Sequence, residues 1–262
     1  MGVPEKTTPL HNADAAEPAP PAYVQNQPLP NYLCSESKAA PQQQFSLQPQ
    51  HLRFPSQFNV YTHFSTFTLG PHQDDKLFTV VQTGLRKPMA LVQGDDKKAP
   101  PLSTLKMKGL GSTSVLTIFP HEGGEVFEPL EITIENHSSK HCFCIALPNK
   151  APHYFEWRSS KSEEVQALGS YKRGWKLVWL RKDGGGEEIV AASALNNTMS
   201  MKKGLKFGFF NAGLDGTLGD TFHIAAVTTA MNDFEMFLST KTAISGNAAT
   251  AASVASVSAV TS

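Results

Sequence analysis

The sequence predicts an all-β fold with one helix, an antiparallel barrel of about 10–12 strands around a hydrophobic C-terminal helix. Three observations carry this. Short runs of β-branched and aromatic residues recur from Phe58 to Phe210. Clusters of Gly, Pro, Asn and Asp separate them, with no helical period in between. The single long helical period comes last, over Gly219–Leu238, where Ile224, Val227, Met231, Phe234 and Leu238 recur at steps of three and four.

The strands follow in order. Phe58, Val60, Thr62, Phe64 and Thr66 share one parity in a run that ends at Gly70-Pro71. Leu77–Gln82 stops at Gly84, and Met89–Val92 stops at Gly94-Asp95-Asp96. Ser114–Phe119 ends at Pro120. Leu130, Ile132 and Ile134 alternate with Glu131, Thr133 and Glu135, which sets an apolar face against a polar one. Cys142–Leu147 is apolar on both faces and reads as buried. His153–Arg158, Trp175–Arg181, Glu188–Ala194 and Leu205–Phe210 complete a set of about ten strands. Gly184–Gly186 and Asn211–Gly216 read as turns. Trp175, Leu177 and Trp179 share parity and are expected to pack together.

The helix sets the architecture. Asp220 or Thr221 is the expected N-cap. About 18 residues at about 1.5 Å each span about 27 Å, the reach of a tilted strand of six to eight residues. An eight-stranded barrel is filled by its own side chains, whereas an 11-stranded can holds a helix. The strand count therefore favours a helix inside a barrel; a helix laid on one sheet face is the alternative.

Composition bounds the domains. Residues 1–55 are rich in Pro, Gln and Ala, and 241–262 are almost wholly Ala, Ser, Thr and Val. Neither has the apolar periodicity that offsets ordering entropy, so both are expected to be disordered tails around one domain at 56–240. A formal net charge of +0 argues against a broad nucleic-acid surface. No leader pattern, lipidation signal or run of 18 apolar residues is visible, so the expected location is cytoplasmic, with peripheral membrane contact and no transmembrane segment. Three cysteines in such a chain are expected to be free thiols.

Motifs for chemistry are sparse. In the run His137, His141, Cys142, Cys144, the two cysteines lie two apart on a strand and share a face with no second pair, so they read as core thiols beside an exposed His, not as a metal site. No nucleophile elbow, zincin, phosphate loop or dinucleotide fingerprint occurs. Glu163-Glu164 and Glu187-Glu188 read as solvated carboxylates. The expectation is a protein without catalytic, metal or cofactor residues. Basic turns are the remaining signal: Lys172, Arg173, Lys176, Lys202, Lys203 and Lys206, with Arg86-Lys87 and Lys97-Lys98 in earlier turns. Lys and Arg at loop tips suit anionic headgroups.

The succession HYFEWR, GWKLVWL, EEIVAASA, KKGLKFGFF and GDTFHIAAVTTAM resembles the tubby C-terminal-like domains of fungal proteins. These relate to the LURP-one-related proteins and to phospholipid scramblases. The resemblance covers about residues 56–240. It implies a barrel of about 12 strands around a hydrophobic helix. It also implies phosphoinositide binding, as in tubby proteins, or lipid association, as in scramblases. The expected function is a non-enzymatic binding module that meets anionic lipid through the basic turns. The alternative is a scaffold for a protein partner, with recognition carried by the N-terminal tail.

Overall fold

The computed structural model describes residues 52–257, apart from 53, 64–65, 83–87, 110–111, 138–139, 170–173, 183 and 197–202; side chains are described to residue 240. Twelve strands form one closed antiparallel barrel in sequence order, with β1 hydrogen-bonded to both β2 and β12. They are β1 (Gln57–His63), β2 (Thr66–Gly70), β3 (Phe78–Gln82), β4 (Met89–Gln93), β5 (Pro101–Lys108) and β6 (Thr113–Ile118). Then come β7 (Leu130–Asn136), β8 (Lys140–Ile145), β9 (His153–Ser160), β10 (Gly174–Arg181), β11 (Gly186–Leu195) and β12 (Lys203–Phe209). A short helix, α1 (Glu163–Ala167), lies between β9 and β10, and α2 (Gly219–Val257) follows β12.

Alternation along each strand sends one parity inward. Val60, Leu69, Val80, Leu91, Leu116, Ile132, Phe143, Phe155, Leu177, Ala191 and Phe207 line the barrel, and all belong to one buried cluster. The same cluster contains Phe222, Ile224, Ala225, Ala226, Val227, Ala230, Met231 and Phe234 of α2. The helix therefore runs through the barrel, not across one face. Alanines let its backbone approach the strands, and Phe222 and Phe234 fill the ends. Val227 and Met231 are fully buried.

Two polar contacts fix the helix at mid-barrel. The Thr228 hydroxyl donates to the Ile224 carbonyl at 2.8 Å. Its lone pair is thus left to accept from Ser103 of β5 at 2.7 Å. Trp157 Nε1 of β9 donates to Thr229 Oγ1 at 2.8 Å, and Thr229 donates to the Ala225 carbonyl at 2.7 Å. Each buried hydroxyl is satisfied on both sides, as a dry interior requires.

Several expectations are corrected. The run from Phe58 to Gly70 is two strands in a hairpin, whose two-residue connection, Phe64-Ser65, contains no turn former. Strand β5 was not foreseen; it opens on proline and alternates weakly. Helix α2 continues to Val257, across residues that composition assigned to the C-terminal tail. It begins at Gly219, so Asp220 and Thr221 lie in its first turn; Asp220 Oδ2 accepts from the Leu52 amide at 2.9 Å. Cys142 is buried outside any disulfide, its thiol donating to Glu156 Oε2 at 3.4 Å, but Cys144 is disulfide-bonded.

Candidate binding surface at the basic end of the barrel

In an up-and-down barrel the connections alternate between the two ends. Those following β1, β3, β5, β7, β9 and β11 leave one end, and those following the other strands leave the opposite end. Register confirms the pairing of loops: Gly174 sits opposite Ala194, and Leu195 opposite Leu205, so the segments before β10 and before β12 start from one rim.

Charge follows this alternation. At the first end the described connections carry Lys161, Glu163 and Glu164, and β7 brings Glu135 near it; Arg86, Lys87, Lys172, Arg173 and Lys202 lie outside the described residues. Strand residues Lys106, Lys108, Lys140 and Lys203 border the same end. At the opposite end, among the described residues, eight acids (Asp74, Asp75, Asp95, Asp96, Glu122, Glu125, Glu128, Asp215) face five lysines (Lys76, Lys97, Lys98, Lys150, Lys182). A chain of zero net charge is therefore a barrel with a basic end and an acidic end. Helix α2 starts at the acidic end and leaves through the basic one.

Of the six lysines and arginines that the sequence nominated, Lys172, Arg173 and Lys202 lie outside the described residues. Lys203 begins β12 at the basic rim. Lys176 and Lys206 are half-buried, at positions that alternate with core residues of β10 and β12 and so face outward. They do not meet. Strand β11 separates them, through Ala192 opposite Lys176 and Ala194 opposite Lys206. Val165 and Leu168, both fully buried, clamp α1 onto those alanines. The basic surface is thus a rim interrupted on its flank by α1, and Lys97-Lys98 belongs to the other end.

Below this rim an ion network holds the outer face of β8–β11. The Glu156 carboxylate, only 5% exposed, takes Arg158 Nε at 2.6 Å and Lys140 Nζ at 3.1 Å. Arg158 reaches across to Glu187 in a bidentate pair at 2.7 and 2.9 Å. Burial alone would raise the Glu156 pKa, but hydrogen bonds and charge from Arg158 and Lys140 hold it below its ordinary value. Glu187 is held low mainly by its hydrogen bonds with Arg158. Glu188 pairs with Arg181 at 3.4 Å and accepts from the Ala212 amide at 3.0 Å. The pair Glu187-Glu188, read from sequence as solvated, is structural.

Inside the basic mouth sits a polar cluster that the sequence did not reveal. Of the two histidines in the run His137–Cys144, His137 is the exposed one, whereas the His141 side chain is 16% exposed and turned inward beside Asp233 of α2, which is 5% exposed. His141 Nδ1 donates to Asn136 Oδ1 at 2.9 Å, and Asn136 Nδ2 donates to Ser114 Oγ at 3.1 Å. The alternation of Asn136 with Ile134, and of His141 with Phe143, was the available signal; the placement of Asp233 on a mostly apolar helix was the other half.

The fold and this surface define a class: a closed antiparallel barrel filled by its own helix, with oppositely charged ends. Among the described residues no helix is long and apolar enough to cross a membrane. Comparison with protein-family models, curated proteins and solved structures finds no match.

Proposed function

We propose that this chain is a non-enzymatic binding module that docks on anionic phospholipid through the basic end of the barrel. The observation that carries the reading is the segregation of charge by topology. Among the described residues five lysines (Lys106, Lys108, Lys140, Lys161 and Lys203) stand at one end against three glutamates (Glu135, Glu163 and Glu164), whereas acids outnumber lysines at the other. Each Lys or Arg held near an anionic leaflet contributes about 1 kcal/mol, so a rim of this size suffices for reversible attachment. The opposing acidic end orients the molecule, since that end is repelled by the same surface. Phosphoinositide headgroups, implied by the tubby resemblance, present the densest charge for such a rim. The interior supports a binding role over a catalytic one, because packed side chains of α2 fill it.

The test is co-sedimentation of the full chain with vesicles of phosphatidylcholine alone, with added phosphatidylserine, or with added phosphoinositide, across a salt series. Binding to the anionic vesicles that falls as salt rises is the expected result. Absence of binding at low salt overturns the lipid reading and leaves the protein-partner scaffold.

A further inference from the structure

The acidic end carries features that lipid docking does not use. An open cavity of about 430 Å³ lies there, walled by Leu52, Phe54, Phe209, Leu214, Asp215 and His223. Its aromatic wall is braced from behind. Phe54 stacks on Phe78 with ring centroids 4.2 Å apart, and Phe209 meets the His223 ring edge-on at 4.7 Å. His223 Nε2 donates to the Gly213 carbonyl at 2.9 Å, which fixes the ring in place.

Exposed apolar side chains gather at the same end. Only three large hydrophobic residues are exposed among the described residues, and two of them, Phe127 (74%) and Leu214 (52%), are here. Leu214 lines the cavity. Phe127 lies in the connection between β6 and β7 at this end, two residues after Glu125, whose carboxylate lies against the lining residue Gly219. An exposed phenylalanine at the same end as a preformed apolar hollow marks an interaction surface, not a random surface residue.

We infer that this end docks a basic peptide segment carrying a bulky apolar anchor. The anchor enters the cavity against Phe54, Phe209 and Leu214, Phe127 meets the peptide at this end, and flanking Lys or Arg side chains face Asp215 and Glu128, Glu125 being already paired with Lys150 at 2.6 Å. Charge complementarity selects this occupant. The chain's own residues 1–51 do not supply it, since they hold four acids (Glu5, Asp14, Glu17, Glu36) against two lysines (Lys6, Lys38).

The probe is a fluorescein-labelled peptide of eight residues, with Lys and Arg on both sides of a central Trp-Leu, titrated with full chain and read by anisotropy. Saturable binding is expected. Phe127→Ser, or Asp215→Lys with Glu128→Lys, weakens it by at least about fivefold, and replacing Trp-Leu in the peptide by Ala-Ala does the same. Lys106→Glu with Lys108→Glu, at the other end, leaves it unchanged. These substituted positions are exposed or in connections, and equal melting temperatures show that the variants fold. Three results would each overturn the inference: no saturable binding, equal affinity for the Ala-Ala peptide, or indifference to Phe127→Ser. A fourth is salt-sensitive self-association in sedimentation velocity that blocks the peptide, because it would assign the surface to the basic end of a second copy.

Discussion

His141 Nε2 lies 3.2 Å from Asp233 Oδ1, joining strand β8 to the core helix inside the barrel. Burial drives both groups toward their neutral forms. The Asp233 carboxyl is pushed well above its ordinary range, and His141 is pushed down by burial and by the nearby charge of His137. The pair thus shares one proton: the carboxyl donates to Nε2 while Nδ1 donates to Asn136.

Two opposing pH dependences follow. The unfolded carboxyl ionises near 3.8, and the folded one far higher, so the Asp233 contribution to stability falls as pH rises between them. The unfolded imidazole takes up a proton below about 6.5, which the folded one resists, so the His141 contribution falls as pH drops below that value. Asp233→Asn keeps a donor to Nε2 and removes the first dependence. Thermal unfolding from pH 5 to 9 is expected to show a higher melting temperature for Asp233→Asn at alkaline pH. Parallel profiles for both proteins would refute the shared-proton arrangement.

The central helix is tested by charge insertion. Val227→Asp or Met231→Asp places an unpaired carboxylate at a fully buried site and is expected to abolish folding, at a cost of several kcal/mol. Thr229→Val is subtler. It removes the acceptor of Trp157 Nε1 and leaves a buried donor orphaned, for a loss of about 1–3 kcal/mol in denaturant unfolding. A stable, folded Val227→Asp protein would contradict a helix inside the barrel.

Arg158→Met strips Glu156 of one of its two cationic partners and leaves a nearly buried carboxylate with Lys140 as the remaining cation and the Cys142 thiol as a weak donor at 3.4 Å. Breaking such a buried pair costs about 3 kcal/mol, a loss that urea unfolding would register. Because Glu156 is held below its ordinary pKa, its contribution is present at neutral pH and lost as pH falls through the carboxylate range. The Arg158→Met deficit should therefore shrink in acid.

Gly174 marks how α1 is seated. A Cβ there would stand 2.1 Å from the Ser193 carbonyl oxygen and 2.8 Å from Val165 Cγ1. Gly174→Ala is expected to push α1 outward and destabilise the fold by about 1–3 kcal/mol, with raised amide exchange in Glu163–Ala167. Unchanged exchange would mean that α1 does not depend on this contact.

How much of this was legible in the sequence depended on what each feature needed. Alternation in Leu130–Glu135 and the three-and-four spacing of Ile224 to Phe234 are local patterns, and they carried the barrel-with-helix architecture. The β1–β2 hairpin was hidden because Phe64-Ser65 has no turn chemistry, and β5 because its pattern is weak. The His141–Asp233 pair was illegible because its partners are 92 positions apart and only closure of the barrel brings them together. The basic turns were visible singly. That Lys106, Lys108, Lys140 and Lys203 share an end while Lys97-Lys98 lies at the other required the strand order.

That last distinction yields the most direct test. Two double variants have identical charge change, Lys106→Glu with Lys108→Glu at the basic end and Lys97→Glu with Lys98→Glu at the acidic end. Co-sedimentation with phosphoinositide vesicles should weaken at least about tenfold for the first and stay near wild type for the second. Equal loss in both would show that net charge, not the basic end, governs binding, and would contradict the account.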